Sequence, residues 1–142
     1  MNYELRIMGS DTLQTAAKKI QTFMDLHAWQ EGHVLVLMVY KMTRRFPREE
    51  MFGLTSQLRR AAVSITSNIA EGFSRPSYAD KARCYSMSLG STTEVQNQAL
   101  IARDVGIMSA ADFNALMVQS ITVHKLLNGL IKSTRSLHMH NS

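Results

Sequence analysis

The chain has 142 residues, 45% of them hydrophobic, which fills one core and one domain but not two of ordinary size. Two prolines and seven glycines are few for the turns of an all-β fold, and the single cysteine, Cys84, excludes an intramolecular disulfide and a cysteine-based zinc site. Lys and Arg outnumber Asp and Glu by 16 to 11, giving a formal charge of +5 and a pI near 9.7, a balance that favours polyanionic partners without identifying one.

Residues 1–22 read as an N-terminal extension. Within it, 11–23 places Leu13, Ala16, Ala17, Ile20 and Phe23 on one side of a short amphipathic helix, after an unfolded start before Ser10. Met1 to Gly9 contains Glu4 and lacks the apolar core of a signal peptide, so the cytoplasm is the expected compartment. The most apolar run, Val34 to Tyr40, is far short of the roughly 20 residues that cross a bilayer.

A bundle domain is expected over 23–134, with a flexible tail over 135–142. The first long helix is expected over 26–43, with Trp29, His33, Val36, Leu37 and Tyr40 on its inner face, weakened at Gly32 and stopped by Phe46-Pro47. The second, over 49–71, carries Leu54, Leu58, Ala61, Ala62, Ile65, Ile69 and Phe73 on one stripe, with Gly72 as its stop. Its opposite arc holds Gln57, Arg60, Ser64, Ser67, Asn68 and Glu71, polar but partly small, and suited to a second contact surface.

Ser77, with Asp80 three positions on, is the expected N-cap of a third helix reaching about Arg103. Ala82, Tyr85, Leu89, Thr92, Val95, Ala99 and Ala102 form its inner face, and Gly90-Ser91 permits a close crossing. Asp104-Val105-Gly106 ends it. Ser109 and Asp112 repeat the capping pattern before a fourth helix with the stripe Phe113, Leu116, Met117, Ser120, Val123, Leu127, Leu130 and Ile131, fraying from about Thr134. Helices of roughly 27–40 Å joined by short connections predict an all-α fold, an antiparallel up-down-up-down four-helix bundle.

The run from Phe46 to Gly72, FPREEMFGLTSQLRRAAVSITSNIAEG, resembles the signature of the four-helix-bundle protein family encoded within intervening sequences of bacterial 23S ribosomal RNA genes. Asp25-Leu26, Trp29-Gln30, Val39-Tyr40, Leu89-Gly90-Ser91 and Glu94 extend the resemblance, which covers about Phe23 to Lys132. The resemblance implies a basic, ring-like homopentamer, similar to the accessory variability protein of diversity-generating retroelements, a protein that assists a reverse transcriptase and binds nucleic acid. The extension and the tail lie outside it.

Lys41, Arg44, Arg45 and Arg48, with Arg59 and Arg60 on the next helix, form the densest positive region and the candidate nucleic-acid contact, because a guanidinium grips phosphate through two hydrogen bonds. The alternative is a solvated helix end whose cations face the negative dipole terminus. Tyr78, Lys81 and Arg83 add ring and charge at the start of the third helix. Gln57, Arg60, Ser64, Asn68, Glu71, Arg75 and Glu94 are read as oligomer or inter-helix contacts rather than acid–base machinery, since a carboxylate pair without a cleft performs no catalysis. His27, His33 and His124 stand singly, His138 and His140 lie in the tail, and Cys84 has no histidine beside it. No metal, cofactor or enzymatic activity is therefore expected. The expected function is a basic homo-oligomer binding RNA or DNA with low sequence selectivity. The alternative is a scaffold docking a reverse transcriptase or another nucleic-acid enzyme.

Overall fold

The computed structural model describes residues 19–141, and these form four α-helices and two 3₁₀ turns with no strand among the described residues. The helices are α1 (His27–Thr43), α2 (Leu54–Ser74), α3 (Tyr78–Asp104) and α4 (Ala110–Asn141). Each packs against its neighbours in the chain, and α4 returns to α1, closing a helical bundle. Leu35, Leu58, Ile65, Ile69, Val95, Leu116, Val123 and Leu127 are fully buried at its centre. Each leucine or isoleucine so buried contributes about 1.5–3 kcal/mol of transfer free energy. The amphipathic helix expected over 11–23 lies mostly outside the described residues.

The entry to α1 is a locked corner. The Asp25 carboxylate accepts the backbone N–H groups of Gln21 and Thr22 at 2.9 Å each, and Gln30 Nε2 donates to the Met24 carbonyl at 2.9 Å. Phe23 meets Trp29 edge-on at 5.4 Å, while His33 stacks on Trp29 at 4.8 Å. Leu26 drops into the core between these polar ties. The pairs Asp25-Leu26 and Trp29-Gln30 therefore each join a polar fastening to a packing residue.

α1 buries a different face from the one periodicity suggests. Ala28, Gly32, Leu35, Val39 and Met42 are buried; Trp29, His33 and Val36 are half-buried; Leu37 and Tyr40 remain 41% and 37% exposed. Because Val34 to Tyr40 is apolar all round, apolarity selects no face there. Close approach does: a Cβ on Gly32 would lie 3.2 Å from Thr66 Cγ2 and 3.4 Å from Ile65 Cγ2, so the α1 backbone rests on α2 at that point.

The segment expected to begin the second helix at Glu49 instead forms a 3₁₀ turn over Arg48–Glu50 and a further turn, and α2 starts at Leu54, whose N–H donates to Glu50 Oε1 at 3.2 Å. Its stripe from Leu54 to Ile69 is buried as expected, with Phe73 half-buried. Gly72 does not stop the helix. It is buried inside α2, and an added Cβ would stand 2.7 Å from Tyr85 Cε1 and 2.9 Å from Cys84 Cβ. Its missing side chain is the space into which α3 fits.

The α3 cap is as expected, with Ser77 Oγ accepting the Asp80 N–H at 3.1 Å. Of the predicted inner face only Leu89 is incompletely buried. Gly90 is exposed, with open space around its Cβ position, so the close crossing falls to its serine neighbours: Ser88 Oγ donates to the Ile65 carbonyl, and Ser91 Oγ donates to Ser64 Oγ at 2.9 Å. Gly106, at φ 85°, makes the turn that follows. Ser109 Oγ accepts the Asp112 N–H at 3.1 Å and opens α4. α4 continues to Asn141 rather than fraying at Thr134, which is buried and donates to the Leu130 carbonyl at 2.8 Å.

Tyr85 carries a pH prediction. The residue is 2% exposed, and burial, with the adjacent Cys84 thiol second, pushes its pKa up to about 12. Below pH 10 the tyrosine is neutral in both states and its contribution to stability is complete. Between pH 10 and 12 the unfolded chain loses the proton first, so stability falls by at most about 1.4 kcal/mol per pH unit. Urea titrations between pH 9 and 11.5 should show a steeper alkaline loss for the wild type than for Tyr85→Phe; parallel curves would contradict the assignment.

Candidate nucleic-acid interface

The basic cluster sits where α1 hands over to α2. Lys41 lies in the last turn of α1, Arg44 and Arg45 in the turn after it, Arg48 in the 3₁₀ turn, and Arg59 and Arg60 in the early turns of α2. The structure sorts these six cations into two kinds. Arg45 is ion-paired to Asp112, which brings the start of α4 to the same place. Arg59 is fixed between two helices: its Nε donates to Thr43 Oγ1 at 2.9 Å, its guanidinium lies 4.7 Å from the centre of the Tyr40 ring, and Thr43 Oγ1 donates in turn to the Val39 carbonyl at 2.7 Å. Lys41, Arg44, Arg48 and Arg60 are exposed and form no ion pair among the described residues. These four are free to meet a polyanion, whereas Arg45 and Arg59 hold the joint together.

Sequence reasoning missed the apolar element beside them. Tyr40, Met51, Phe52, Arg59, Arg60 and Val63 line a shallow groove of about 440 Å³, and Phe52 is 96% exposed. The only signal was Met51-Phe52 directly after two glutamates, and a continuous helix from Glu49 concealed it. A ring, aliphatic side chains and guanidinium groups at one rim can stack a base or seat an apolar side chain of another protein.

The polar arc of α2 behaves as a set of internal ties. Asn68 Nδ2 donates to the Ser64 carbonyl at 2.9 Å and to Ser64 Oγ at 3.1 Å, and Ser64 meets Ser91 across the α2–α3 contact. Glu71 is ion-paired to Arg75 one turn on, and that carboxylate holds the Arg75 pKa above its ordinary value. Of the residues predicted for inter-helix contact, Ser64 reaches α3 through Ser91 and Arg75 reaches it through Cys84; Gln57, Arg60 and Glu94 are exposed and take no part in the ties. His33 is stacked on Trp29, Cys84 is buried beside Gly72, and no three His, Cys, Asp or Glu side chains converge among the described residues. No described helix is long and apolar enough to cross a membrane.

Comparison with known proteins places these features in context. The family model described as 23S rRNA-intervening sequence protein matches residues 24–129. A crystal structure of a protein with unknown function from the S23 ribosomal protein family of Bacteroides thetaiotaomicron is similar, with a TM-score of 0.69 and 19% identity over 74% of this chain and 95% of that one. At that identity the likeness concerns the fold alone. No curated protein matches the chain.

Proposed function

The chain belongs to the 23S rRNA-intervening sequence protein family, and from that premise we propose that it is a non-catalytic, cytoplasmic homo-oligomer that binds RNA or DNA with low sequence selectivity. The observation that carries this reading is the group of exposed cations Lys41, Arg44, Arg48 and Arg60 at one joint, none of which forms an ion pair among the described residues. Each can grip a phosphate, and repetition around a pentamer multiplies weak contacts into useful affinity. An antiparallel up-down-up-down course accompanies the proposal. It is supported by contacts that run in opposite order along α2 and α3: Ser64 with Ser91, Ile65 with Ser88, Gly72 with Tyr85. Filter binding of single-stranded RNA and DNA at two salt concentrations tests the reading. Retention at low salt that declines as salt rises is expected; no retention at low salt refutes it.

Assembly has its own test. The Glu71–Arg75 pair is half-exposed and joins the last turn of α2 to the residue just after it, so its loss costs a folded subunit little. We expect Glu71→Ala to reduce the mass seen by light scattering while leaving the urea midpoint nearly unchanged. An unchanged mass removes Glu71 from the subunit contact.

Phe52 favours a second reading. A phenylalanine side chain 96% exposed beside Met51, Tyr40 and Val63 is a candidate anchor for a protein partner. In this reading the oligomer docks a reverse transcriptase or a similar enzyme, which itself holds the nucleic acid. If the isolated chain ignores oligonucleotides and Phe52→Ala abolishes co-purification of such an enzyme, the scaffold reading replaces the first.

A further inference from the structure

A second cationic site forms where the sequence announces only half of it, the ring and charge of Tyr78 and Arg83. Tyr78, Arg83 and Ser86 in the first turns of α3 meet Arg135, His138 and Met139 in the last turns of α4, lining an open groove of about 560 Å³. That volume lies within the roughly 300–1,000 Å³ of ligand sites. The groove is at the far end of α2 from Arg59, about 20 Å or more away by the rise of the intervening helix.

The lining is chemically mixed in a specific way. Ala82 and Met139 supply an apolar surface, Tyr78 a half-buried ring, and Arg83 and Arg135 exposed guanidinium groups, with His138 alongside. Counter-charge is thin. The acid paired with Arg83 is Asp80 at 3.5 Å, and that pair is largely exposed to solvent. At that separation and with its acid half-exposed, the pair is looser than Arg45–Asp112, whose acid is 24% exposed, and yields more readily to a stronger anion. Lys81 is not available in the same way, because its ammonium donates to the Phe73 carbonyl at 2.5 Å and ties off the end of α2. An aromatic face with two guanidinium groups beside it is complementary to a nucleotide, whose base stacks and whose phosphate accepts two parallel hydrogen bonds. Because the groove is open, a polynucleotide strand can enter and leave it.

We propose that this groove is a nucleotide-binding site for single-stranded nucleic acid, with a base on Tyr78 and the adjoining phosphate held by Arg83 and Arg135. The proposal rests on the nucleic-acid reading above but assigns a separate site, so the two fail separately. Fluorescence anisotropy with a labelled oligouridine measures both in the full chain. Arg83→Ala with Arg135→Ala is expected to weaken binding at least tenfold, and Tyr78→Leu at least fivefold, while Tyr78→Phe retains affinity because the ring remains. If the arginine double variant binds like wild type while Lys41→Ala with Arg44→Ala loses affinity, the groove proposal falls and the wider reading stands. If the groove variants lose affinity and the Lys41/Arg44 variant does not, the groove stands and the joint is not the contact. A wild type that binds no oligouridine at low salt ends both. If the arginine double variant weakens binding only to anionic lipid vesicles, the groove recognises a headgroup and the proposal is overturned. Photocrosslinking of thiouridine-containing RNA to wild type covers the case of variants that misfold. Adducts on Tyr78–Ser86 or Arg135–Met139 support the site, and adducts confined to Lys41–Arg60 reject it.

Discussion

Gly72→Ala is expected to lower stability by about 1–2 kcal/mol, although the same replacement at Gly90 is expected to raise it by about 0.5–1 kcal/mol. Both glycines lie inside helices, where alanine is the better residue by up to about 1 kcal/mol, so the opposite signs come from packing alone. At Gly90 the new methyl group meets nothing within 4 Å. At Gly72 it is driven against Tyr85 Cε1 at 2.7 Å and Cys84 Cβ at 2.9 Å. A tyrosine ring can swing, but Cys84 Cβ is attached to the α3 backbone and moves only if the helix moves. Overpacking of that kind costs about 1–3 kcal/mol, which exceeds the propensity gain when two atoms are overrun together. Urea titration of the two variants checks the pair. Equal or greater stability for Gly72→Ala would mean that α2 and α3 do not rely on this contact.

The same glycine shows why some of the fold is legible in the sequence and some is not. Leu58, Ile65 and Ile69 announce their burial because the other side of α2 is polar, and a stripe with a contrasting arc admits one orientation. Ser77 and Ser109 announce their helices because a cap is a local device, complete within three residues. Gly72 misleads because glycine serves equally as a helix stop and as a place of close approach, and Gly32, read as a weak point of its helix, is a place of close approach too. What separates the two roles is the partner, here Tyr85 or Thr66, which lies elsewhere in the chain. Leu37 and Tyr40 mislead for a related reason: on a helix apolar all round, the buried face is set by the neighbour's shape. The site divides along the same line. The cations from Lys41 to Arg60 are readable because one short joint gathers them, but the ties that commit Arg45 to Asp112 and Arg59 to Thr43 and Tyr40 are properties of packing. Arg135 and His138 join Tyr78 and Arg83 only because α4 stays helical beyond Thr134.

That division among the cations sets the largest expected effect on function. If Lys41, Arg44, Arg48 and Arg60 alone engage a single strand and each displaces one counterion, the logarithm of affinity falls with the logarithm of salt at a slope of about −2.8 per engaged subunit, from about −0.7 per contact. Raising salt from about 50 to about 200 mM then weakens binding about 50-fold. With Lys41 and Arg44 both changed to alanine two contacts remain, and the same salt step should weaken binding only about 7-fold. Arg45→Ala supplies the sharper comparison. It removes the same formal charge as Arg44→Ala from the neighbouring position, yet its guanidinium is already engaged by Asp112, and losing it frees that carboxylate without removing a phosphate contact. Its salt slope should stay near the wild-type value, while Arg44→Ala reduces the slope by about 0.7. A protein that attracts nucleic acid merely by carrying excess positive charge responds alike to both substitutions, so equal slopes would remove the joint as the binding surface even if affinity persisted. A slope near zero for wild type, combined with affinity lost in Phe52→Ala, would transfer the contact to the apolar groove.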